Sequence, residues 1–429
     1  MRKILLTVPL VLILIASPAL AGLGGVLPGV GQTLDGSLDG LGGGGDSLGG
    51  VLDPVTGTLD DVRDGLDDLT ARTRRTAERL VRNRTDRLRD LVRDNSAVLA
   101  FDNTGHPARR DALLALDVDA AGFEALRKAG FDPIGTETVE GLDLTITRIA
   151  VPDGMTLAQA QDRLAEQVPD IKVSSDALHF TAGAPGMATA VAVAADPKAS
   201  VPVGMIDGAV GGGIGIDAQR GFAEGAPIAS DHGSAVASLL KSAGVASVRV
   251  ADVYGTDPGG GNALAIARGL GWLVKGGSRV VTISLVGPEN PVLSRAIASA
   301  QRQGVVVVAA VGNDGPAAPP SYPASYNGVV AVTAVDRHDR ALIEAGRATH
   351  LDYAAPGADI YGTDRRGKRM RLRGTSFATP LAAARIASVL AKGGSWRAKL
   401  DEEARDLGPK GNDATYGRGL VCDKCAGRR

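Results

Sequence analysis

Val201-Pro202-Val203-Gly204-Met205-Ile206-Asp207-Gly208 opens the stretch that decides the fold. It is apolar on consecutive positions rather than alternate ones, and it ends on an acid. Four more runs of this texture follow, Val248–Val253, Val280–Leu285, Val305–Val311 and Val329–Val335. Continuous apolar runs suit strands covered on both faces. Helix-like stretches near 233–242, 262–275, 292–303 and 377–391 separate most of them. The alternation predicts an α/β, doubly wound, mostly parallel sheet over 200–421. Ligands of such sheets lie at the carboxyl ends of the strands, so the residues following each run matter most.

Upstream, residues 108–180 read as a small α+β domain. Ala112–Val118 is strand-like, Ala121–Ala129 helix-like, and strands follow near Pro133–Val139 and Leu142–Val151. Thr156–Gln167 returns to helical spacing, and Ile171–Phe180 closes with strand character. The order β-α-β-β-α-β is that of a ferredoxin-like sandwich. Residues 181–199, rich in Ala, Gly and Pro, read as a linker.

From Leu59 the spacing of Leu59, Val62, Leu66, Leu69, Thr73, Thr76 and Leu80 predicts an amphipathic helix within 58–100. Its acids come first and nine arginines fall between Arg72 and Arg93, the order that the helix dipole favours. A solvated helix is the expectation, with an anionic surface as the alternative partner. Residues 22–57 form a Gly/Leu/Asp tract, read as a flexible tether because ordering glycine at this density costs too much entropy. Before it, Arg2-Lys3, the apolar run Ile4–Ile15 and Ala19-Leu20-Ala21 have the form of a cleavable signal peptide, 1–21. As a membrane anchor the run is short against the ~20 residues that a span needs. The expectation is a secreted or periplasmic protein with no transmembrane span after cleavage.

Composition excludes other classes. Across 429 residues, 47 Lys+Arg balance 48 Asp+Glu, so no positive field recommends a nucleic-acid partner. Hydrophobic residues at 44% exclude wholesale disorder. The only cysteines, Cys422 and Cys425, lie in the tail 422–429. They are half of a zinc site at most; a local disulfide or a free reactive pair fits an exported chain better. Gly208–Gly215 follows a strand but lacks the spacing of a dinucleotide fingerprint.

Three positions stand out at strand ends and helix starts: Asp207 at the tip of its strand, His232 opening a helix, and Ser376 after a Gly-led turn, with Pro380 read as tolerated in the first turn of that helix. Singly, each is an ordinary turn, structural or cap residue. Together they are the set for acyl transfer. A serine hydroxyl needs a base, the base must titrate near neutrality, and a carboxylate fixes the tautomer of that base. Asn313, at the end of another strand, is the amide that can stabilise an oxyanion beside a helix-start N–H.

With these residues in the order Asp207, His232, Ser376, the chain resembles the subtilisin-like serine proteases (subtilases) over roughly 200–421. The likeness includes the block from His232 to Ala237, Ala310 to Gly315, Tyr322-Pro323-Ala324, Ala355-Pro356-Gly357, Gly374 to Pro380, and Tyr416 to Val421. It implies that Asp207 orients, His232 acts as base then acid, Ser376 attacks, and Asn313 joins the oxyanion hole. Ser284, Leu285, Val286 and Gly287 correspond to the substrate-lining strand, where the family commonly reads Ser-x-Gly-Gly. Val286 then implies a narrowed or rearranged subsite. The resemblance also implies that 108–180 is a propeptide, an intramolecular inhibitor cut within 181–199, and that substrates are proteins or peptides. No cofactor is implied; structural calcium is open to the family but no pattern here indicates it, and no metal site is expected. His106, His179, His338 and His350 belong to no block and read as incidental, His179 lying near the processing segment. The second reading is a catalytically silent binding or regulatory module on the same fold at the cell envelope.

Overall fold

The computed structural model describes residues 53–182, 184–186, 200–423 and 425. The expected signal segment, most of the glycine-rich tract and most of the linker lie outside the described residues. Helix α1 (Asp53–Asp94) comes first. It stops short of the expected residue 100, and strand β1 (Leu99–Phe101) follows. The cause is Asn95. Its side-chain amide donates to the Leu91 carbonyl at 2.9 Å, while its own carbonyl accepts the N–H groups of Val98 and Leu99.

The small domain runs β2 (Pro107–Leu116), α2 (Ala120–Lys128), β3 (Pro133–Thr138), β4 (Thr145–Ala150), α3 (Leu157–Gln167) and β5 (Val173–Ala177). Its antiparallel sheet is ordered β1-β2-β4-β3, with β5 also on β2. Asp119 caps α2, and Thr156 with Gln159 forms a capping box on α3. The predicted strand Ile171–Phe180 is in fact two. The chain leaves the small sheet after β5, and Phe180–Thr181 (β6) joins the larger domain instead.

The larger domain follows a short strand β7 (Ala184–Gly186). Its first half runs β8 (Val203–Asp207), β9 (Ala218–Gly221), α4 (Asp231–Ser242), β10 (Val248–Asp252), α5 (Ala263–Lys275), β11 (Val280–Ile283) and β12 (Leu285–Val286). Its second half runs α6 (Pro291–Arg302), β13 (Val306–Ala310), β14 (Val330–Val335), β15 (Tyr353–Pro356), β16 (Ala358–Thr363), β17 (Arg369–Arg373), α7 (Thr375–Ala391) and α8 (Trp396–Glu403). Seven parallel strands form one sheet, β15-β14-β13-β11-β8-β10-β9. The fold is α/β and doubly wound. Helices α4 and α7 bury Val236, Leu240, Leu381 and Ile386 on one face; α5 and α6 bury Ile266, Leu270, Val292 and Ile297 on the other. Each such side chain contributes ~1.5–3 kcal/mol.

The small sheet packs onto α5 and α6. Leu114, Val139, Leu144 and Ile146 share one buried cluster with Leu270, Leu273 and Ala296. Gly271 makes the fit possible, since a Cβ there would lie 2.1 Å from the Glu140 carbonyl oxygen. Pro380 is the sixth residue of α7, not a first-turn residue as expected. Among the described residues no helix is long and apolar enough to cross a membrane. Cys422 and Cys425 are joined as a disulfide.

Candidate active site

Asp207 ends the central strand β8, fully buried, and its carboxylate accepts the Gly208 N–H at 2.8 Å. Both carboxylate oxygens stand 2.9 Å from Nδ1 of His232, the second residue of α4. The start of that helix is held by Ser230, which accepts the Gly233 N–H at 2.9 Å. A carboxylate on Nδ1 keeps the proton there and leaves Nε2 with the free lone pair. Nε2 is buried and has no hydrogen-bond partner.

Ser376 is the second residue of α7. The helix is capped by Gly374 at φ 141°, a conformation that strains any side chain. The first N–H groups of a helix have no partner within it. That of Ser376 donates to the carbonyl oxygen of Ala182 at 2.9 Å. Asn313 Nδ2 donates to the same oxygen. The other end of the Asn313 amide accepts the Thr375 N–H at 3.1 Å, and Thr375 Oγ1 accepts the Gly312 N–H at 3.1 Å. Thr375 thus fixes which face of Asn313 meets the carbonyl. Its role was not read from sequence, although it sits between the Gly and Ser of the motif.

The chain around Ala182 lies as an added strand. Its N–H donates to the Ser284 carbonyl at 3.1 Å, and β6 pairs antiparallel with β12, Thr181 opposite Leu285 and Phe180 opposite Val286. Beyond Ala182, β7 pairs antiparallel with β17, Ala184 opposite Arg373 and Gly186 opposite Arg371. Backbone pairing on both sides of one carbonyl is how an extended peptide is held by a sheet edge.

The Ser376 hydroxyl does not face His232. It donates to the Ser284 carbonyl at 3.2 Å, while the Ser284 hydroxyl donates to the Ser376 carbonyl at 2.9 Å. The imidazole packs beside the neighbouring Phe377, ring centroids 5.3 Å apart.

His179, read as incidental, is a correction. It is fully buried three residues before Ala182, its N–H on the Gly261 carbonyl at 2.8 Å and its carbonyl on the Tyr254 hydroxyl at 3.0 Å. A Cβ on Gly287 would lie 2.5 Å from its ring, so the absence of a side chain there makes the space. Burial pushes its pKa down to about 4, and neither ring nitrogen has a hydrogen-bond partner. Among the described residues no group of three or more His, Cys, Asp or Glu could hold a metal ion.

A buried carboxylate on an imidazole, a serine at a helix start and two N–H donors on one carbonyl thus lie together at the carboxyl ends of the strands of a doubly wound α/β sheet. The model of the subtilase family matches residues 223–419. Subtilisin Savinase of Lederbergia lenta is 35% identical over 233 residues, covering 50% of this chain and 85% of that protein. M-protease of Shouchella clausii is also 35% identical over 233 residues, but the match spans 60% of its length. The crystal structure of fervidolysin from Fervidobacterium pennivorans superposes with a TM-score of 0.61 at 18% identity, covering 74% of this chain and 61% of that one. That likeness shows the fold. The chain belongs to the subtilase family.

Proposed function

We propose that the chain is an exported serine endopeptidase that cleaves peptide bonds through an acyl-enzyme and matures by cutting itself between Ala182 and Gly183. The observation that carries this reading is the Ala182 carbonyl, held by the Ser376 N–H and Asn313 Nδ2 and flanked by strand pairing on both sides. Substrate proteins would take the same path. Export rests on Arg2-Lys3, the apolar run after them and Ala19-Leu20-Ala21.

In this reading Ser376 Oγ bonds to the Ala182 carbonyl carbon while its proton passes to Nε2 of His232. The oxygen, now an anion, stays on the two donors that already hold it, which act without reorganisation. Collapse breaks the C–N bond, His232 gives its proton to the departing Gly183 nitrogen, and Ala182 remains as an ester on Ser376. Water, deprotonated by His232, then releases the acid. Asp207 stays ionised throughout and steadies the imidazolium. No step calls for a cofactor. The serine hydroxyl must first turn from the Ser284 carbonyl to Nε2. That rotation supplies the partner a buried ring nitrogen lacks, and catalytic hydrogen bonds often tighten only on reaction.

The test is the N-terminus of the mature piece. The full chain should yield a fragment beginning at Gly183, and Ser376→Ala should stay intact; cutting of that variant alone in solution would overturn the assignment. The serine turned away from His232 favours a second reading, an inert member of the fold. Labelling of Ser376 by a fluorophosphonate in the processed protein separates the two.

A further inference from the structure

Helix α1 was expected to be solvated, yet it touches both sides of the occupied cleft. Arg84 Nε lies 3.1 Å and Arg87 Nη2 2.8 Å from the two carboxylate oxygens of Asp314, the residue after the oxyanion donor Asn313. Arg84 and Asp314 are each only 25% exposed, so water screens this pair less than a surface one. One turn earlier, Leu80 rests on Gly315, where a Cβ would stand 2.9 Å from its Cδ1. Toward its end, α1 buries Val92 against Leu99 and Leu178, with Leu91 and Phe180 packed on the same cluster. Phe180 belongs to β6, two residues before Ala182. The helix therefore grips the enzyme rim through Asp314 and Gly315, and the cleft-bound segment through Leu178 and Phe180. Between them it roofs a cavity of about 940 Å³ lined by Arg84, Arg87, Phe180, Val286 and Asp314.

We propose that α1 is an inhibitory strap: it holds the segment ending at Ala182 in the cleft after the bond to Gly183 is cut. This rests on the self-cleavage reading, because only a cut chain needs contacts outside the cleft to stay in place. Once the bond is broken, the N-terminal piece is bound by its own sheet, by β6 and by α1. The small sheet carries ion pairs to the larger domain as well, Arg109 with Asp257 and Glu137 with Arg268, but the α1 pairs to Asp314 are the ones next to Asn313, so changes of charge at Asp314 probe the strap itself. The strap delays activity without blocking the cut itself, since it touches neither His232 nor Ser376.

The experiment uses the full chain. In the wild type, a lag should separate the appearance of the fragment ending at Ala182 from the rise of activity on an added peptide. Arg84→Ala/Arg87→Ala should shorten that lag about tenfold without slowing the cut. Asp314→Arg should do the same, and joining it to Arg84→Asp/Arg87→Asp should restore the lag. A lag unchanged in both single-sided variants overturns the strap. Hydrogen exchange provides an arm that needs no cleavage. In the uncut Ser376→Ala chain, the amides of residues 84–94 should exchange about tenfold faster when both arginines are removed. Equal exchange would also overturn the proposal. Absence of any fragment ending at Ala182 would instead sink the self-cleavage reading, and the exchange arm would still decide whether α1 is latched by Asp314.

Discussion

Ser284 and Ser376 exchange hydrogen bonds, each hydroxyl donating to the carbonyl of the other, at 2.9 Å and 3.2 Å. The reason lies four residues along α7. Pro380 has no N–H, so the Ser376 carbonyl loses its helical donor, and the Ser284 hydroxyl takes that place. The strand lining the cleft is thereby tied to the helix that carries the serine. Ser284→Ala should orphan a buried carbonyl and cost ~1–3 kcal/mol, read as a lower denaturation midpoint. In a Pro380→Ala background, where the helix supplies its own donor, the same change should cost much less. A double-mutant cycle with no coupling would show that the two positions are independent.

Asn313 faces the Ala182 carbonyl with its amide nitrogen because Thr375 takes its oxygen. Asn313→Ala should slow both self-cleavage and peptide turnover by about 10²–10³-fold in kcat, the usual loss for one oxyanion donor. KM should change little, since the donor acts most strongly on the anion. Asn313→Asp should be at least as damaging, because an ionised carboxylate would face the developing negative charge. Equal kcat in all three proteins would remove Asn313 from the reaction.

The contrast between what the sequence displays and what it hides follows from chemistry. Asp207, His232 and Ser376 are legible because each carries a reactive group and each lies within two residues of a glycine that marks a strand end or helix start. The central strands are legible because burial on both faces forces continuous apolar runs. Strands β9 and β17 are not: Ala218-Gln219-Arg220-Gly221 lies at a sheet edge and carries the charge that an edge tolerates, while Arg369–Arg373 is the middle strand of a small three-stranded sheet in which only Leu372 is buried, so no continuous apolar run marks it. Ala182 has no reactive side chain, so its place is visible only when Asn313 and the Ser376 N–H close on its carbonyl. The pairing of Arg84 and Arg87 with Asp314 joins residues far apart in the chain and leaves no local pattern. Pro380 was misplaced because its tolerance comes from a hydroxyl on another element.

Val286 stands opposite Phe180 in the antiparallel pair, so their side chains share a face, and Ala182, two residues on, shares it too. A Cβ on Gly312 would meet Val286 Cγ1 at 3.4 Å, which shows how closely that side chain approaches the turn that follows β13. The valine lies on the face that also carries the small Ala182, whose carbonyl is the one proposed for cleavage. Val286→Gly should raise the ratio of kcat/KM for phenylalanine over alanine at that position by about tenfold or more. The measurement is a paired series of peptides differing only there. An unchanged ratio would place the limit on another wall.

Acid should act on the docked segment through two buried groups of opposite sign. His179 is held near 4 by burial, with His106 adding a repulsion, against an ordinary 6.5. The free segment therefore takes up a proton that the docked one refuses, and docking is full above pH 6.5 and weakens as pH falls toward 4. Burial lifts Asp176 from 3.8 to about 6, although its carboxylate accepts the Leu264 N–H at 2.9 Å and Arg109, Arg148 and Arg268 pull the other way. There the docked form keeps a proton that the free form releases, so docking strengthens as pH falls below 6. Between pH 6 and 5 the two nearly cancel, leaving the wild-type complex changed by less than about twofold. Asp176→Asn should expose the histidine alone and weaken retention of the cut N-terminal piece by roughly five- to tenfold over that interval. His179→Leu should do the reverse. Gel filtration of the processed complex at the two pH values measures both, and three parallel profiles would show that neither group governs release.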